Sequence, residues 1–120
     1  MSVGMPQEIL LQQFGELIHD AFGDWPYLVG SALQGKQWRD VDVRLILSDE
    51  DYERLTGDKV PINPPILNRK WAALCLAFST LGREMTGLPI DFQIQQRTEA
   101  NRQYDGPRSA LILYADISRL

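Results

Sequence analysis

Asp40-Val41-Asp42-Val43-Arg44-Leu45-Ile46-Leu47 decides the fold. From Asp40 to Leu45 acidic or basic residues alternate with apolar ones. A strand has a side-chain period of two, so Asp40, Asp42 and Arg44 fall on one face and Val41, Val43 and Leu45 on the other. A half-buried strand with a charged outer face is therefore predicted. Pro89 to Gln95 repeats the pattern, with Ile90, Phe92 and Ile94 on one side and Asp91, Gln93 and Gln95 on the other. Tyr27-Leu28-Val29 reads as a short buried strand running into a turn at Gly30-Ser31.

Helical spacing lies between and around these strands. Leu10, Phe14, Leu17, Ile18 and Ala21 share a face within Gln7 to Phe22. Ser48 is placed to cap a short helix over Asp49 to Leu55 that ends at Gly57. Leu67, Trp71, Leu74, Phe78, Leu81 and Met85 step by four and three, marking a long core helix closed by Gly87. Gly57 to Pro65 reads as a loop, Arg97 to Arg108 as a loop or frayed helix, and Ala110 to Ala115 as a last strand. The fold class is α+β.

The chain has 120 residues, 44% of them apolar and 23% charged, which predicts a single domain over residues 1–120. Its net charge of −4 excludes a global basic field for nucleic acid. The lone cysteine, Cys75, excludes an intrachain disulfide and points to a reducing, cytoplasmic setting; with His19 as the only histidine, a cysteine-based zinc site lacks ligands. Trp71 to Phe78, the longest nearly apolar stretch, is too short to span a bilayer, so no membrane association is expected.

Gly30-Ser31-Ala32-Leu33-Gln34-Gly35-Lys36 imitates a phosphate-binding loop. Gln37 supplies no hydroxyl for magnesium, and the next strand follows too soon for the helix that such a loop requires. Both departures argue against a Walker-type nucleotide site, while Lys36 remains a candidate phosphate contact.

The chemistry gathers on the acids. Asp40 and Asp42 leave one strand face with α-carbons ~7 Å apart, and Asp91 joins them if its strand is a neighbour. Carboxylates this close repel unless a cation lies between them, and all-oxygen ligation suits magnesium or manganese. Taken singly, the Gly30-Ser31 pair reads as an ordinary turn, and Asp40 and Asp42 fit a solvated strand face as well as they fit a metal site. The ordered set favours a functional reading.

Val29-Gly30-Ser31, eight further residues, Asp40-Val41-Asp42-Val43, and later Ile90-Asp91-Phe92 resemble the nucleotidyltransferase superfamily that includes DNA polymerase beta and the minimal nucleotidyltransferase domains. The resemblance covers about Tyr27 to Gln95. It implies a mixed sheet of three to four strands flanked by helices, magnesium on Asp40 and Asp42, Asp91 as third acid and base, and a nucleoside triphosphate held near Gly30 and Ser31. Lys36, Arg39 and Arg44 are candidates for neutralising its charge. The implied reaction transfers a nucleoside monophosphate to a hydroxyl acceptor that the sequence does not name. Minimal members carry an arginine directly after the glycine-serine pair, where this chain has Ala32, and fuller members append a helical acceptor domain that has no counterpart here. These departures motivate an alternative: a non-catalytic, antitoxin-like module of the same fold that acts with a protein partner.

Overall fold

The computed structural model describes residues 5–29, 40–103 and 108–111. In chain order these form α1 (Met5–Phe22), β1 (Tyr27–Val29), β2 (Val41–Leu47), α2 (Asp49–Thr56), a 3-10 turn (Pro65–Leu67), α3 (Arg69–Thr86), β3 (Ile90–Gln96), α4 (Arg97–Gln103) and β4 (Arg108–Ala110). The fold is α+β. Its open, mixed sheet has the order β3-β2-β1-β4, with β2 and β3 parallel and β1 antiparallel to both β2 and β4. A parallel pair needs a long crossover, and the segment from Ser48 to Pro89, carrying α2 and α3, supplies it.

Local signals account for the helix ends. The Ser48 hydroxyl accepts from the Asp51 amide at 3.1 Å, and Gly57 ends α2 at φ 83°, a conformation that costs glycine little. Asn68 caps α3 through the Trp71 amide at 3.0 Å, which is why that helix begins after the 3-10 turn and not at Leu67.

Both β2 and β3 bury the side that alternation assigns to the core. Val41, Val43, Leu45, Ile90, Phe92 and Ile94 pack with Leu11, Phe14 and Ile18 of α1. The α1 face is rotated from the expected one: Leu11 is buried, whereas Leu17 and Ala21 are exposed. In α3 the buried positions are Trp71, Cys75, Ser79, Gly82 and Thr86, while Leu67 and Leu81 face solvent.

This shift in α3 has a physical reason. Beside β3, at the side not paired with β2, the row Trp71, Cys75, Ser79 and Arg83 meets the strand's backbone. The Trp71 indole donates to the Ile94 carbonyl (2.7 Å), Arg83 Nε donates to the Ile90 carbonyl (3.0 Å), and the Ser79 hydroxyl accepts from the Phe92 amide (2.9 Å). The Cys75 sulfur takes a backbone hydrogen bond from Ile94, yet burial pushes its thiol up to about 11, so it is not a nucleophile at neutral pH. Satisfying buried backbone groups outweighs burying two more leucines.

Arg97 to Gln103 is a helix anchored by buried Ala100 and by the Asp49 carboxylate, which accepts from the Thr98 amide at 3.1 Å. The last described strand is Arg108–Ala110, earlier than the expected Ala110 to Ala115, of which residues 112–115 lie outside the described residues. Among the described residues no helix is long and apolar enough to cross a membrane.

Candidate functional site

With its odd-numbered residues committed to the core, β2 presents Asp42 and Arg44 on the opposite face. The same rule places Asp91, Gln93 and Gln95 of β3 there. Register then aligns them: Asp42 pairs with Asp91 and Arg44 with Gln93, while on the other side Val29 pairs with Asp42 and Tyr27 with Arg44. Adjacent strands lie ~4.8 Å apart. The two acids are thus direct neighbours on one surface.

Arg44 lies across them. Its Nη2 is 3.6 Å from Asp42 Oδ1 and 3.2 Å from Asp91 Oδ2, and its Nη1 donates to the Asp91 carbonyl at 2.6 Å. Only 13% of the Arg44 side chain is exposed, against 28% for Asp42 and 36% for Asp91, so the guanidinium is the most deeply set of the three. Even with this partner the Asp42 carboxyl is held above the ordinary carboxylate value. Burial is the main cause, and Asp91 and Asp40 add like-charge repulsion that Arg44 opposes. Among the described residues, Arg44 is the cation whose charge acts on Asp42, and it does not offset the effect of burial.

Among the described residues no group of three or more histidine, cysteine, aspartate or glutamate side chains is arranged to hold a metal ion unaided. Magnesium, however, characteristically takes one or two carboxylates together with substrate phosphates and water. The all-oxygen donors Asp40 and Asp42, with Asp42 partly buried and Asp40 close enough to act on it through its charge, fit an ion that arrives with its phosphates, not a free-standing metal centre.

Gly30, Ser31, Lys36 and Arg39 lie outside the described residues. Val29, which precedes Gly30, is the β1 partner of Asp42. The structure brings Asp42, Arg44 and Asp91 together; Asp40 is exposed just before β2 and acts on Asp42 through its charge. Arg44 was expected only to neutralise phosphate charge. Its bridging position was missed because it depends on a register between strands 47 residues apart in the chain, although two-residue spacing after Asp42 already placed it on the acid face.

Arg102 pairs with Glu99 on α4, whereas Arg97 and Arg108 border a common cavity beside Tyr27.

No protein-family model matches the chain, and neither the curated proteins nor the solved structures contain a match to it.

Proposed function

We propose that the chain is a magnesium-dependent, nucleotidyltransferase-like protein that transfers a nucleoside monophosphate from a nucleoside triphosphate to a hydroxyl acceptor. The observation that carries this reading is the register of Asp42 with Asp91 on neighbouring parallel strands, with Asp40 contributing further negative charge. Asp40 and Asp42 would hold the ion together with the substrate phosphates, and Asp91 would serve as the third acid and base. Magnesium, or manganese, when bound supplies Lewis-acid stabilisation of the charge on the phosphoryl oxygens. Gly30 and Ser31 contact phosphate, and Lys36, Arg39 and Arg44 offset its charge.

The chemistry balances simply. The acceptor oxygen forms a bond to the α-phosphorus, the bond from that phosphorus to the α,β-bridging oxygen breaks, pyrophosphate leaves, and the acceptor proton passes to Asp91. The setting in this reading is reducing and cytoplasmic.

A second reading is favoured by Arg44. Its hydrogen bond to the Asp91 carbonyl and its position near both carboxylates describe an acid pair already served by an internal cation. This is the arrangement expected of a non-catalytic module that keeps the fold and works with a protein partner.

One experiment separates the two: incubation with α-labelled triphosphates, magnesium and candidate hydroxyl acceptors, with manganese calorimetry alongside. Label transfer by the wild type that disappears in Asp42→Ala supports catalysis. No transfer, together with manganese binding seen only in Arg44→Ala, supports the second reading. Absence of nucleotide and metal binding from every form overturns the first.

A further inference from the structure

On the same sheet face as Asp42 and Arg44 lies a cavity of about 400 Å³. It borders the acidic row: Arg108 pairs with Val29, which pairs with Asp42, so Arg108 stands two strands, ~10 Å, from that acid. Its floor is buried Ile46, four residues beyond Asp42 on β2, and Tyr27, the partner of Arg44. The volume falls within the range of small-molecule pockets.

The lining combines two kinds of group. Arg97 and Arg108 bring two guanidinium forks to its rim, and Arg108 is set in place by bonds to the Asn101 side chain (3.0 Å) and the Ala100 carbonyl (3.2 Å). Planar, permanently charged forks match the oxygens of a phosphate. Trp25 and Tyr27 contribute half-buried aromatic rings, and the indole is braced by His19, stacked at 3.9 Å between centroids and 15° between planes. A ring held in this way is pre-ordered to receive a flat heterocycle, and base stacking on such rings is tolerant of base identity. Asp24 adds an acceptor suited to sugar hydroxyls.

We propose that this cavity binds a nucleoside monophosphate, with Arg97 and Arg108 on the phosphate, Trp25 and Tyr27 against the base, and Asp24 on the ribose. The proposal stands on this cavity alone and does not require the acidic face to be catalytic.

The test is a titration of the full chain with AMP in EDTA, so that magnesium-dependent binding at the acids does not contribute. Adenosine and inorganic phosphate serve as separate arms. The readout is the indole N–H resonances of the three tryptophans, with Trp25 assigned by Trp25→Phe. AMP should bind with Kd below about 1 mM and shift the Trp25 resonance, while adenosine and phosphate each bind more weakly. Arg97→Ala should weaken AMP about tenfold, the scale of one charge-assisted phosphate contact. Its melting temperature should not move, since Arg97 is exposed. No saturation at millimolar AMP, a still Trp25 resonance, unchanged affinity in Arg97→Ala, or phosphate binding as tightly as AMP would each overturn the assignment.

Discussion

Arg44 of β2 grips Asp91 of β3 twice, through the carbonyl at 2.6 Å and through the carboxylate at 3.2 Å. One side chain therefore joins the edge strand β3 to its neighbour β2 on the polar face, in addition to the backbone ladder between them. Removing it would leave two partly buried carboxylates side by side without the cation that pairs with both. Arg44→Ala should lower unfolding free energy by about 1–3 kcal/mol, measured as a reduced urea midpoint at unchanged slope. Arg44→Lys should recover only part of the loss, because an ammonium lacks the planar fork that reaches main chain and side chain together.

Asp42 has the opposite sign. Its carboxyl is raised above 3.8, first by burial, and Arg44 does not cancel that effect. A group that binds its proton more tightly when folded contributes stability below its unfolded value and loses it as pH rises through its folded value. Ionised Asp42 therefore destabilises the fold at pH 7. Asp42→Asn should have a higher urea midpoint than wild type at pH 7, and the gap should close near pH 3. A gap that widens on acidification would contradict this account. An acid kept at a cost to stability is what a functional site leads one to expect.

The helices approach the rest of the core closely at two glycines. A β-carbon on Gly15 would lie 2.5 Å from both the β-carbon and the carbonyl oxygen of Leu111, whereas one on Gly82 would lie 2.9 Å from the tip of the Phe14 ring and 3.0 Å from Ile90. Backbone cannot yield as a ring can. Gly15→Ala should cost at least about 3 kcal/mol, and Gly82→Ala about 1–3 kcal/mol, by thermal or urea unfolding.

Ser79 carries the Phe92 amide on its hydroxyl, which also donates to the Phe92 carbonyl at 3.3 Å. Ser79→Ala would strand a buried N–H and should cost about 1–3 kcal/mol. Hydrogen exchange at the Phe92 amide should accelerate more than at Val43 in the centre of the sheet, which separates a local opening from a uniform loss of stability.

What could be read in advance was local. Ser48 and Gly57 bound α2 because a cap needs only its own turn, and the alternation in β2 and β3 assigned each acid its face. The turn of α3 toward the core was not local. Leu81 fits a helical stripe as well as Gly82 does, but Phe14 and Ile90 press against Gly82, and β3 requires Ser79 and Arg83 as partners. Arg97 to Arg108 reads as a loop or frayed helix because its residues are polar, and what holds the helix over Arg97–Gln103 includes Asp49, 49 positions away from Thr98. At the candidate site, two-residue spacing gave the shared face of Asp42 and Arg44, whereas the neighbourhood of Asp91 depended on strand pairing that no short-range pattern encodes.

The row from Trp71 to Arg83 has a consequence for assembly. A bare outermost strand invites a neighbouring molecule to extend the sheet. Here any newcomer to β3 must first displace an indole, a hydroxyl and a guanidinium from its carbonyls and amide. Polymerisation by strand addition is closed on that flank of the sheet.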